Sequence, residues 1–150
     1  GSGADYVQIL TAGAAGTGVE IILGTGNDEL ELDVNLGTDS VTIDLGGGND
    51  IVDIDVGQTA THVIENFGSG DLLDLGTLNM TGTLDVTLYT SATDAQTAIS
   101  GAATGSEVSV ALHDNGTDID LYIDTNNSGT HDMIITIDSI SSISASQIDL

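Results

Sequence analysis

The chain has 150 residues, 39% of them hydrophobic, and carries 24 Asp and Glu against no Lys or Arg, a formal charge of −24 at pH 7. That is one domain's worth of chain with enough apolar residues for a core. The lack of basic side chains excludes nucleic-acid binding and attraction to anionic membrane surfaces, which leaves divalent cations as the charged partner.

Cysteine is absent, so disulfides, thiol catalysis and thiolate zinc sites are excluded, and no apolar run is long enough for membrane insertion. Charge this high favours disorder, but the chain is rich in Val, Ile, Leu and Thr in alternating runs, the composition of a β protein that opposes its own compaction electrostatically. Gly1-Ser2-Gly3, without an initiator Met or the basic and apolar regions of a signal peptide, reads as a cloning remnant on a fragment of something longer.

Residues 4–23 read as a degenerate start: Ala4-Asp5-Tyr6-Val7 echoes a turn, and Val19 to Leu23 a strand. From 24 to 56 the chain repeats every 11 residues, as GTGNDELELDV, LGTDSVTIDL and GGGNDIVDIDV. Gly26, Gly37 and Gly48 recur in phase, followed by Asp28, Asp39 and Asp50 and then by Leu30, Val41 and Val52. Glycine turns the backbone tightly and exposes carbonyls, aspartate offers a hard oxygen ligand, and the aliphatic residue pins the next strand: the chemistry of a calcium-binding turn. Ordinary turn propensity accounts for the residue types but not for their common phase.

The alternation predicts shared inward faces of Leu30, Leu32 and Val34; of Val41, Ile43 and Leu45; and of Val52, Ile54 and Val56. Turns at a fixed short period, each feeding a strand, point to a parallel β-roll of two opposed sheets, with residues 22 apart stacked. Gly24–Asp28 then lies on Gly46–Asp50, while the abbreviated Gly37-Thr38-Asp39 falls on the other side and binds weakly or not at all. Asp33 comes near Asp55 on the outside, where like charges destabilise.

After Gly57 the pattern changes, and His62 to Phe67, Gly68-Ser69-Gly70-Asp71 and Leu72 to Leu75 read as the strand and turn that close the roll. Residues 84–89 alternate as a strand, and Thr93-Asp94-Ala95-Gln96 has capping-box spacing before a short helix around 94–102. An antiparallel meander follows: Val108, Val110 and Leu112, the Asn115-Gly116 turn, Ile119, Leu121 and Ile123, then Met133, Ile135 and Ile137. Between the last two strands, Asp124, Asn126, Ser128 and Asp132 supply side-chain oxygens and Thr130 a carbonyl. Gly129 occupies the sixth position, the spacing of an EF-hand-type loop in which Ile135 replaces the bidentate Glu. His62, His113 and His131 stand in neither zinc-type spacing nor beside a nucleophile-elbow serine, in polar settings where histidines are solvated, so no catalytic role is expected.

LGTGNDELE and GGGNDIVD resemble the G-G-x-G-x-D-x-U-x array of the RTX (repeats-in-toxin) family, although the period here is 11 and not nine. The resemblance implies calcium held by turn carbonyls and aspartates at Gly24, Gly26, Asp28, Gly46, Gly48 and Asp50. HVIENFGSGDLLDLGTL, IDTNNSGTHDMIITI and ISASQIDL are similar to the region after the repeats in serralysin-type metalloproteases and related type I secreted proteins, whose uncleaved C-terminus is an export signal.

The sequence therefore predicts an all-β chain: a parallel β-roll capped by an antiparallel meander, with one short helix, in a single domain 1–150 (repeat part 4–57, capping and export part 58–150). Its expected function is calcium binding with metal-coupled folding outside a bacterial cell, in a module that carries a type I secretion signal for a larger secreted protein and meets the type I secretion machinery. The alternative is a calcium-dependent structural domain of a surface-layer or adhesin protein, where self-association enters; an enzyme fragment is the weakest reading.

Overall fold

The computed structural model describes residues 1–10, 18–33, 40–55, 61–78, 80, 82–100 and 108–150. Within them the strands are β1 (Tyr6–Ile9), β2 (Val19–Ile22), β3 (Glu29–Leu32), β4 (Val41–Asp44), β5 (Ile51–Ile54), β6 (Thr61–Glu65), β7 (Leu72–Asp74), β8 (Thr83–Tyr89), β9 (Val108–Asp114), β10 (Ile119–Ile123), β11 (Met133–Ile137) and β12 (Ile148–Asp149); the helix α1 is Ala92–Ser100. Val34, Val56 and the Gly37–Asp39 turn lie outside the described residues.

One sheet has the order β1-β3-β5-β7-β12 and the other β2-β4-β6-β11-β10-β9-β8. Up to β7 the chain thus alternates between two sheets, and all neighbours in this part run parallel. The alternation has a physical cause: each strand is only three to five residues long, with every second side chain apolar, and buries that half against the facing sheet. Leu30, Leu32, Val41, Ile43, Leu45, Val52 and Ile54 are buried as the alternation requires, and join one cluster with Ile64, Leu73, Leu75 and the inward residues of β9 to β11. Each such aliphatic side chain contributes about 1.5–3 kcal/mol of transfer free energy.

Residues 62–75 form the last turn of the stack: β6 pairs with β4 and β7 with β5, and beyond them β11 and β12 continue the two sheets. The stacking offset shrinks along the chain from 23 to 22 to 21 residues, so a search at fixed period loses the repeat where the offset changes. The helix also begins earlier than expected: the Ser91 carbonyl accepts from Asp94 and Ala95, and Thr93 lies in the first turn. Its Ala95 and Ile99 pack on Ala111 of β9. The meander forms as expected, β9-β10-β11 antiparallel, but it joins the older sheet through a parallel pairing of β11 with β6.

Close stacking constrains the glycines of the turns. Gly26 and Gly48 hold φ of 147° and 150°, and a Cβ on Gly48 would collide with the Gly26 carbonyl, as one on Gly26 would with Gly3. Gly48→Ala should therefore lower unfolding stability by about 2 kcal/mol in denaturant titrations. Gly47→Ala, whose Cβ would meet nothing within 4 Å, should stay within about 0.5 kcal/mol of wild type.

Candidate metal centre

Four Gly-Asp turns stack at the edge where the chain enters the first sheet: 1–5, 24–28, 46–50 and 68–71. Gly1-Ser2-Gly3 is therefore not idle. Gly3 N–H donates to the Thr25 carbonyl (2.7 Å) and Thr25 N–H to the Gly1 carbonyl (3.1 Å); the next step repeats it, Gly26 N–H to Gly47 and Gly47 N–H to Gly24, both 2.9 Å.

The aspartates form a column. Asp5 N–H donates to Asp28 Oδ1, Asp28 N–H to Asp50 Oδ1 and Asp50 N–H to Asp71 Oδ1, each at 2.8 Å. Every carboxylate thereby caps the turn before it, the reason an aspartate and not a longer acid stands at this point. Asp28, Asp50 and Asp71 are 2%, 1% and 4% exposed. Asp71 uses its second oxygen to accept from Gly68 N–H at 2.6 Å. The second oxygens of Asp28 and Asp50 are buried without a partner.

An unpartnered carboxylate oxygen in the interior is costly, by several kcal/mol when the group is ionised. Accordingly burial pushes Asp50 above the ordinary carboxylate range, the Asp28 N–H pulls it back, and the Asp71 and Asp28 charges push it up again. The donor set fits a hard divalent cation: carboxylate oxygens, with turn carbonyls close by and no nitrogen or sulfur ligand. Of the expected carbonyl ligands, that of Gly24 accepts from Gly47 N–H, and that of Gly26 faces the Cα of Gly48. Asn27 Oδ1 accepts from Asn49 N–H (3.1 Å), a second ladder that supports the first.

The column includes two residues that the repeat pattern did not single out as ligands, Asp5 and Asp71. Their signal is present: GSGAD at 1–5 matches GTGND, and GSGD at 68–71 is the same turn one residue shorter. Asp39 lies outside the described residues.

The 124–132 loop is built differently. Asp124, 1% exposed, accepts from the N–H groups of Asn126 (3.2 Å), Ser128 (3.1 Å) and Gly129 (2.7 Å). Asp132 accepts from the backbone and hydroxyl of Thr125 and from the Asn126 amide, all at 3.0 Å, and Ser128 Oγ donates to the Thr130 carbonyl at 3.1 Å. The loop's oxygens come together, yet its own donors already engage them. Asn127 and Gly129 take left-handed conformations to make this possible.

The histidines are scattered. His62 is not solvated as its sequence setting suggests: 1% exposed, it fills the place beside Val41, accepts from Val41 N–H at Nδ1 (3.2 Å), and leaves Nε2 unpartnered. Burial lowers its pKa and keeps it neutral. His113 pairs with Asp120 at 3.2 Å, and His131 contacts Gln96 and the edge of Tyr122.

A second acidic grouping covers the outer face of the first sheet. Register places Glu31 beside Asp53, Asp53 beside Asp74 and Asp74 beside Asp149. Oxygens of Glu31, Asp33 and Asp55 lie within 4.8 Å of one another, the Asp33–Asp55 approach expected from the 22-residue stacking. Burial, aided by Asp55, Asp74, Glu29 and Asp33, pushes Asp53 up to about 6.

Among known proteins, the chain matches no protein-family model and no curated protein.

Asp53 gives a pH signature. Its folded pKa of about 6 lies above the ordinary 3.8, so its favourable contribution is complete below about 4 and is lost as pH rises through about 6. Asp53→Asn should be more stable than wild type at pH 7 by about 1 kcal/mol, the difference vanishing near pH 4, in denaturant unfolding at constant cation concentration.

Proposed function

We propose that the chain is a calcium-binding module of the RTX type, a parallel β-roll with a meander cap, which folds on meeting calcium outside the cell. The observation that carries this reading is the aspartate column with the second oxygens of Asp28 and Asp50 buried and unpartnered, in a chain without Lys or Arg. Each of those oxygens lies where one turn stacks on the preceding one, and one cation per gap would satisfy it, with carbonyls among Gly24, Gly26, Gly46 and Gly48 completing the shell. Asp71, with both oxygens engaged, ends the array.

The mechanism is metal-coupled folding. Without calcium the carboxylates repel one another and the chain stays extended enough for export; calcium outside neutralises them, and binding free energy becomes folding free energy. Residues 143–150 serve as the type I export signal, and the module follows a larger secreted passenger. The 124–132 loop, whose oxygens are already engaged, takes calcium more weakly than the turns.

A second reading, a surface-layer or adhesin domain that self-associates through calcium, draws on the N-terminal end of the stack. Tyr6, Leu10 and Ile22 are 57%, 61% and 61% exposed there, beside the outer edges of β1 and β2. Sedimentation with calcium separates the two: a module stays monomeric, a lattice component assembles.

Circular dichroism should show β signal appearing as calcium is added, with magnesium a poor substitute because it demands tighter octahedral coordination. Asp28→Asn and Asp50→Asn should each raise the calcium midpoint about tenfold, close to 1.4 kcal/mol, while Asp71→Asn leaves it within about twofold. An unchanged spectrum and melting temperature in chelator would defeat the proposal. Deleting residues 143–150 should abolish export through a type I system; export at normal yield would remove the signal from the reading.

A further inference from the structure

We propose that β12 is an electrostatic latch: the end of the chain docks on the first sheet through Ile148, and screening of the carboxylate row Glu31–Asp53–Asp74–Asp149 decides how firmly it stays there.

The docking forces are few. β12 has two residues and among the described residues pairs with β7 alone, Ile148 beside Leu73 and Asp149 beside Asp74. Ile148 is 6% exposed and belongs to the main core cluster. Leu75 N–H donates to the Asp149 carbonyl at 2.9 Å, and Gln147 Nε2 reaches back to the Gly68 carbonyl at 2.7 Å. A turn closed by Gln147 N–H on the Ser144 carbonyl presents the strand.

Against these acts the register. Docking adds a fourth carboxylate to the row at a lateral spacing of about 4.8 Å. Asp74 and Asp149 each receive only a local backbone donor, from Gly76 (2.9 Å) and Leu150 (3.1 Å), and the chain has no Lys or Arg to place between them. The other strands of this sheet either have neighbours on both sides or, like β1, pair over four residues, so β12 is the one that opens first. Asp149 is exposed and Asp74 half-buried, so solvent ions reach this end of the row and the response is to ionic strength in general: the Debye length falls from about 30 Å at 0.01 M salt to about 3 Å at 1 M. That separates the latch from the buried column, where the second oxygens of Asp28 and Asp50 are open to a particular cation. The latch does not depend on the calcium reading; its consequence, that folding withdraws an export signal in residues 143–150, does rest on the export reading.

Hydrogen exchange of the whole chain tests it, at fixed calcium and with sodium chloride varied from about 0.01 M to about 0.5 M. Wild type should gain about fivefold protection over 143–150 with little change in β3 and β5, whereas Asp149→Asn should be protected already at low salt. Carboxypeptidase release of Leu150 should slow in parallel. An equal salt response in wild type and Asp149→Asn, or none in either, overturns the latch. So does opening of β5 together with the tail, since the sheet and not the latch would then respond. Failure of the calcium reading looks different, and a parallel salt series in chelator shows it: β5 protection unchanged from the calcium series while the tail still follows salt.

Discussion

The structure depends on one repeated bond, the donation of a backbone N–H from each turn to the aspartate of the turn stacked on it. Asp5 to Asp28, Asp28 to Asp50 and Asp50 to Asp71 make three such steps at the same length, and each sets the register of the strands that follow. An ionised carboxylate accepts these bonds well, and burying it is expensive. The fold therefore places its strongest organising interaction where its own charge is least tolerable, and the chain holds no basic side chain to offset it. A cation bound there would resolve that conflict without disturbing the column, because at Asp28 and Asp50 Oδ1 makes the structural bond and Oδ2 is left over.

How much of this was legible follows from which interactions are local. Glycine, aspartate and aliphatic residue in common phase identified turn and strand together, and the alternation placed Leu30, Leu32, Val41, Ile43, Val52 and Ile54 in the core. What escaped was lateral. Residues 62–75 read as the closing strand and turn but not as a further repeat, because the sequence interval shortens; a strand pairs by side-chain face and backbone, neither of which requires a constant interval. Of the N-terminal turn the sequence shows the Ala4-Asp5-Tyr6-Val7 echo, while Gly1 to Gly3 read as an artificial leader; β12 was hidden by its length, since two residues carry no periodicity at all. His62 was misplaced because a histidine beside Thr61 reads as polar, whereas its strand face is fixed by Ile64 two residues on. In the EF-hand-like loop the spacing located the right oxygens, but spacing does not say which donors reach them first.

The two acidic populations of the first sheet follow from strand alternation. A turn aspartate sits at the rim, where a backbone N–H of the preceding turn donates to it; a strand aspartate or glutamate at an outward position stands beside its counterpart on the next strand. Of the first kind, Asp28 and Asp50 are buried and satisfied on one side. The second is half-buried at Glu31, Asp53 and Asp74 and exposed at Asp149, with like charges as its lateral neighbours. A divalent ion at the rim would have ligands presented to it by the backbone path; on the outer face it would meet a row of strand carboxylates that any counter-ion can screen.

These populations also oppose each other along the chain. Adding a turn extends the column by one N–H to carboxylate bond and the core by two or three aliphatic side chains, and it extends the outer row by at least one more like charge. The first two gains are short-ranged and nearly equal for every turn, whereas the repulsion accumulates over all members within a Debye length. A stack of this composition consequently has its weakest attachment where a strand brings a charge and little core. At β12 the contribution is one buried isoleucine and one carboxylate. Toward the opposite edge β1 lines the same face with Tyr6 and Gln8 in place of acids, and both reach carboxylates of β3 and its flank: the Tyr6 hydroxyl donates to Glu31, and Gln8 Nε2 donates to Asp33 at 2.6 Å. Neutral donors thus absorb the charge row at one end, and at the other it runs on into a terminal strand too short to hold it unaided.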